Sequence, residues 1–255
     1  MAEPILSTAK IVMKFGGLVS VNKMDFDLYE HEIVGIIGPN GAGKTTFFNV
    51  LTGIYKPTSG TVCYHGMDIT GKKLYEITAL GFARTFQNIR LFPHMTVLET
   101  VMLGMHTRTK AGILDALLRT PRIRKTEREL EAKALELLNL TGLDRYRYEY
   151  GTDLPYGMQR RLEIARAMAS QPEILLLDEP AAGMNEQETA DISFFIKKLR
   201  DIGYTIILIE HDMRLVMNIC DRLYVLDHGS MIAQGRPEEI SANPQVIEVY
   251  LGKEE

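Results

Sequence analysis

The sequence predicts an α/β fold: a largely parallel sheet covered by helices on both faces, with an antiparallel β subdomain and an inserted α-helical subdomain. Three observations carry this. Short apolar runs at 31–37, 173–178 and 204–209 read as strands buried on both faces. Helical patterns stand among them, at roughly 124–139, 158–170, 186–201 and 211–219. Residues 96–170 hold helical patterns and no convincing buried strand, which reads as an insert into the α/β core.

Taken in order, residues 1–30 and 60–70 have the mixed polarity and turns of an antiparallel subdomain. The run HEIVGII ends in a glycine-rich turn, after which Thr45 to Thr52 read as a helix. Shorter strands at 222–226 and 230–234 flank the Asp227-His228-Gly229 turn. The chain reads as one domain, with 1–95 and 171–255 forming the core and 96–170 the helical subdomain. Residues 106–125 within it are basic and turn-rich around a short apolar patch.

The 255 residues carry a net charge of only -4, so no strong field points to nucleic acid. Cys63 and Cys220 are far apart, lack metal-type spacing and read as reduced thiols. The N-terminus has no apolar core of signal-peptide length, and no stretch is long and apolar enough to span a bilayer. The default location is the cytosol, and any membrane role needs another chain to supply the span.

The chemistry starts at Gly38-Pro39-Asn40-Gly41-Ala42-Gly43-Lys44-Thr45, which fits G-x-x-x-x-G-K-[ST] between a strand and a helix. The glycines let backbone N–H groups converge on phosphate oxygens, and the helix N-terminus adds partial positive charge. Lys44 is placed to reach the β- and γ-phosphates and the Thr45 hydroxyl to ligate Mg²⁺, with Thr46 in the same ATP-binding set. At the end of ILLLDE, Asp178 is delivered to the Mg²⁺ shell and Glu179 stands where a carboxylate can orient or deprotonate water. His211, in LIEHD, follows the third buried strand, from where a polar group can reach the γ-phosphate; a lone histidine is more often structural. Gln87, in RTFQN, is by itself an unremarkable amide.

In combination and in this order, these motifs resemble the ATP-binding cassette (ABC) family over the whole chain. The resemblance implies that Gln87 touches Mg²⁺ and water, that His211 is the γ-phosphate switch, and that Phe15, in MKFGG, stacks on adenine. The family's leucine-serine-glycine-glycine-glutamine signature is altered here to Leu154-Pro155-Tyr156-Gly157-Met158-Gln159. In the family this helix start faces the γ-phosphate bound to the other protomer of a head-to-tail dimer, which implies that Tyr156 and Gly157 contact nucleotide. Pro155 stands where a serine hydroxyl is usual, and Asn185 where the family usually has aspartate. Met158, Leu162, Ala165 and Ala169 form the apolar stripe of the following helix.

The segments RTFQNIRLFPHMTVLETVMLG and LPYGMQRRLEIARAMASQPEILLLDEPAAGMN, together with the ending VIEVYLG, resemble ATPase subunits of branched-chain amino-acid importers. That resemblance implies a second ATPase subunit (a sister or a second copy), two transmembrane permease subunits and, indirectly, an external substrate-binding protein. It also implies a peripheral place at the cytoplasmic face of the cell membrane. The rival readings are the ATPase of lipopolysaccharide export, which shares the ATP-site residues, and a non-transport ABC ATPase of repair or translation. Against the latter, residues 46–153 hold no long heptad pattern and the chain has one cassette.

Overall fold

The computed structural model describes residues 3–105 and 121–251. It divides into two compact units, one running through Arg84 and resuming at Glu173, the other Thr85–Pro172. The chain enters through β1 (Leu6–Phe15), β2 (Leu18–Leu28), β3 (Ile33–Ile37), α1 (Lys44–Leu51), β4 (Ser59–Tyr64), β5 (Met67–Asp68), α2 (Leu74–Ala79) and β6 (Phe82–Arg84). The second unit contributes α3 (Val97–Gly104), α4 (Pro121–Thr141) and α5 (Tyr156–Met168). The first unit resumes with β7 (Ile174–Asp178), α6 (Glu186–Asp201), β8 (Thr205–Ile209), α7 (Met213–Ile219), β9 (Arg222–Asp227), β10 (Ser230–Gly235), α8 (Pro237–Ser241) and α9 (Pro244–Leu251).

Two sheets make up the first unit. An antiparallel sheet has the order β2-β1-β4-β5, and the larger sheet runs β10-β9-β3-β8-β7-β6. In the larger sheet β9, β3, β8, β7 and β6 pair in parallel, and β10 closes one edge antiparallel to β9. Every residue of β3, β7 and β8 is buried, the signature of strands covered on both faces, and so these read as continuous apolar runs. Gly35 is a packing requirement: a Cβ there would stand 2.5 Å from Leu223 Cδ2 and 2.9 Å from Cys220 Sγ. Both cysteines are free thiols, Cys220 buried and Cys63 partly so.

β6 was not foreseen. It has three residues, too few to show any periodicity, and is held by pairing with Ile174, Leu175 and Leu176 of β7. The last helix of the parallel core also starts later than its pattern predicts. Asp212 caps α7, its side chain accepting from the amides of Arg214 and Leu215, so His211 lies outside the helix.

The second unit has its own core of Val97, Leu98, Val101, Leu138, Leu162 and Ala165. The predicted stripe of α5 faces it: Leu162, Ala165 and Ala169 are buried there and Met158 packs against it. This unit starts at Thr85 because residues after β6 are tied to α5. Arg160 donates to the carbonyls of Phe86 and Gln87, and Glu163 accepts from the Phe86 amide. Of the basic stretch 106–125, residues 106–120 lie outside the described residues, and α4 begins at Pro121. No helix among the described residues is long and apolar enough to cross a membrane.

Candidate active site

In the parallel sheet the C-terminal ends of β3, β7 and β8 lie side by side, where α/β sheets bind ligands. From β3 the chain turns through Gly38, Gly41 and Gly43 at φ of 148°, 81° and 99°, values that L side chains rarely adopt. At Gly43 a Cβ would also meet the Ser20 carbonyl at 2.3 Å. Pro39, Asn40 and Ala42 complete the turn, which the Ala42 amide closes on the Pro39 carbonyl at 3.2 Å. The Gly229 amide holds the Ala42 carbonyl at 3.0 Å, so the Asp227-His228-Gly229 turn buttresses the loop.

α1 then opens with Lys44, Thr45 and Thr46. Lys44 is buried, and its Nζ donates to the Gly38 and Pro39 carbonyls at 2.7 and 3.0 Å. Burial pulls its pKa below the ordinary lysine value, while the charges of Glu179 and Asp178 push it back up. The Ser20 hydroxyl donates to that of Thr46 at 2.8 Å, fixing α1 to β2. Thr45 stays exposed at the helix mouth.

β7 ends in Asp178, which pairs in register with Ile209 at the end of β8. Asp178 is buried and in contact with Arg84: Nη2 lies 2.6 Å from Oδ2. Glu179 follows with φ of 48°, in the left-handed region uncommon for residues other than glycine. The Glu179 amide donates to the Ile209 carbonyl at 2.9 Å, and its carboxylate lies 3.9 Å from His211 Nδ1. The predicted acid and histidine are therefore neighbours, although 32 residues apart in sequence, by subtraction of their numbers.

Glu210 was missed. It is buried, its Oε1 accepts from the Ala181 amide at 2.8 Å, and its Oε2 accepts from the amide of His211 at 3.2 Å. Burial pushes its carboxyl above the usual range, and those amides pull it back. It ties the turn after Glu179 to the backbone of His211. The signal was a charged residue directly after an apolar strand, in LIEHD. Arg84 was missed for the same reason, at the end of GFAR.

Phe15 ends β1 at 41% exposure, its ring edge-on to Tyr55 with centroids 5.2 Å apart. A half-open, braced ring is suited to stacking. Gln87, Tyr156 and Gly157 belong to the second unit. There the Gln87 side chain is exposed, while its carbonyl accepts from Arg160 at 2.8 Å. Pro155 is the N-cap of α5 and offers no side-chain cap, its carbonyl accepting from the Met158 and Gln159 amides. Tyr156 and Gly157 form the first turn, whose amides precede any helical acceptor.

The donor set in the first unit is hard oxygen, the neutral Thr45 hydroxyl and the Asp178 carboxylate, beside a backbone nest and a buried lysine. It fits a phosphate chain carrying Mg²⁺ and no soft metal.

Comparison with known proteins agrees with this geometry. The family model described as ABC transporter matches residues 21–182, and the one described as branched-chain amino acid ATP-binding cassette transporter matches 230–255. The high-affinity branched-chain amino acid transport ATP-binding protein LivG of Escherichia coli K12 is 48% identical over 254 residues, 99% of this chain and 100% of LivG. The ADP conformation of MJ1267, an ATP-binding cassette of an ABC transporter, superposes with a TM-score of 0.86 at 33% identity, covering 99% of this chain and 100% of that one. The ATP-binding cassette MJ0796, solved as a dimer in a post-hydrolysis state with ADP and Pi, has a TM-score of 0.74 at 26% identity, covering 91% and 98%. With its phosphate loop, its paired acids and its helical insert in family order, the chain belongs to the ABC transporter family as an ATP-binding cassette ATPase.

Proposed function

We propose that this chain is the ATP-hydrolysing subunit of an importer of branched-chain or similar hydrophobic amino acids. The observation that carries the cargo is its full-length identity to LivG, because this subunit does not itself touch the transported molecule. A second ATPase subunit, two permease subunits and an external binding protein complete the machine, with this chain at the cytoplasmic face of the membrane. ATP lies between two ATPase subunits arranged head to tail, and closure and opening of that sandwich drive the permease.

The residue roles follow from chemistry. The loop amides of 38–43 and Lys44 hold the β- and γ-phosphates. Phe15 stacks on the adenine. Thr45 and Asp178 would hold Mg²⁺, with Gln87 added on the family resemblance, and the metal's charge would offset that of the phosphate oxygens. Glu179 orients and deprotonates the attacking water, and His211, 3.9 Å from it, donates to the γ-phosphate. On the opposing subunit, the amides of Tyr156 and Gly157 at the start of α5 meet the γ-phosphate in place of a serine hydroxyl.

The test is Glu179→Gln in the assembled transporter. Loss of an acid–base group lowers turnover by about 10²–10⁴-fold, while ATP binding persists and an ATP-bound dimer accumulates on sizing columns. Hydrolysis near the wild-type rate removes Glu179 from this role. Uptake of labelled leucine by proteoliposomes holding the complete system tests the cargo, and no leucine-dependent uptake refutes it.

A further inference from the structure

Arg84 makes contacts beyond its ion pair. Its Nη2 donates to Asp178 at 2.6 Å, while its Nη1 donates to Asn49 Oδ1 at 2.7 Å and reaches the Thr52 hydroxyl at 3.3 Å. Asn49 lies in α1 and Thr52 caps its C-terminus. The guanidinium carbon also stands 5.4 Å from the centroid of the Phe48 ring, again on α1. The side chains of Arg84 and Asp178 are 8% and 6% exposed, so this contact is made away from water. In register Arg84 pairs with Leu176, two residues before Asp178, so the side chain reaches along the sheet to the strand end.

Two of the three proposed metal donors stand on these same two elements. Thr45 lies in the first turn of α1 and Asp178 ends β7. A planar guanidinium with one edge on each element spans the pair with little freedom, which a lysine ammonium could not reproduce. We propose that Arg84 is a positioning residue that braces the Asp178 carboxylate against α1 and thereby sets how well the site takes Mg²⁺ with nucleotide. It touches neither metal nor nucleotide. It acts on the metal ligand, as hydrogen-bonded partners of ligating carboxylates do. A pair serving stability alone has no need to join those two elements at the acid itself. The inference rests on Asp178 being the metal acid.

The experiment measures the affinity of the purified full-length subunit for a fluorescent ATP analogue, once with Mg²⁺ and once in EDTA, and takes the ratio. In Arg84→Met the gain in affinity due to Mg²⁺ falls by about 10- to 100-fold, the usual cost of losing a partner of a metal ligand, while the EDTA affinity stays at the wild-type value. Asn49→Ala removes the shorter hydrogen bond at the α1 end and keeps the one to Thr52, leaves every site residue in place, and lowers the same ratio by less. It also decides the matter if Arg84→Met fails to fold. Asp178→Asn is the control. If Asp178→Asn loses the Mg²⁺ gain while Arg84→Met, or Asn49→Ala in its stead, keeps it, the brace is refuted and the metal assignment stands. If Asp178→Asn keeps the gain, the metal assignment itself falls. Equal loss with and without Mg²⁺ in Arg84→Met makes the residue structural and overturns the proposal.

Discussion

Arg84 in the sheet unit and Arg160 in the helical unit are both almost wholly withdrawn from solvent, and each meets a carboxylate, at 2.6 and 2.9 Å. Their settings differ. Arg84 reaches an acid 94 residues away on a neighbouring strand, and that acid ends at the phosphate loop. Arg160 meets Glu163 three residues on along the same helix, and its two terminal nitrogens also donate to backbone, to the carbonyls of Phe86 and Gln87 at 2.7 and 2.8 Å. Desolvating either pair is costly, and neither is explained by its Coulombic attraction alone. What each pair does is decided by what else the arginine holds. One holds the carboxylate proposed to ligate Mg²⁺, and the other holds a stretch of main chain.

The largest effect that separates them is on stability. Arg160→Met leaves the buried Glu163 with only the longer contact to Arg166, at 3.8 Å, and removes the donor to two carbonyls. It is expected to cost about 3–5 kcal/mol, the scale of breaking one side of a buried pair, read from urea unfolding. Adding Glu163→Met to the same chain should recover roughly 1–4 kcal/mol, since an apolar pair of similar volume avoids the desolvation. A loss below about 1 kcal/mol, the worth of an exposed pair, would erase the contrast drawn here. On the proposed assignment of Asp178 to Mg²⁺, by contrast, no apolar replacement of the Arg84 pair restores the response to the metal, because an apolar side chain at 178 cannot ligate it.

Two helices, one from each unit, also start differently. α6 opens on Asn185, whose side chain accepts from the Glu188 amide at 2.9 Å while Glu188 accepts from the Asn185 amide at 3.1 Å. Asn185→Ala should therefore cost about 1 kcal/mol of unfolding free energy. Asparagine caps as well as the aspartate usual in the family, which accounts physically for that departure. α5 opens on Pro155 with no side-chain cap. Pro155→Ser supplies one, and the gain, offset by the looser unfolded chain, should come to only a few tenths of a kcal/mol, about the smallest shift a melting curve resolves. A marked loss on Pro155→Ser would mean that the ring does structural work at the helix start.

Much of the site was legible because phosphate chemistry is local. A nest of amides needs glycines at neighbouring positions followed directly by lysine and a hydroxyl, so 38–45 could be read as a unit. β3, β7 and β8 were legible because strands buried on both faces are apolar throughout. The stripe of α5 was legible from its helical period. Each of these signals is written within a dozen residues of chain.

What the sequence by itself determined, then, was the P-loop architecture and the helical insert, with Lys44, Asp178, Glu179 and His211 as the candidates for its chemistry. Only the tertiary structure decided that Arg84 meets Asp178, that Glu210 binds the Ala181 and His211 amides, and that Phe86 and Gln87 hang on Arg160. The reason is topological. Arg84 finds Asp178 because β6 lies beside β7, a neighbour relation set by strand order across the long intervening segment. β6 itself has three residues, too short for any period to show. A buried arginine has no pattern of its own in sequence, because its partners are chosen by which elements the sheet and the helices bring together.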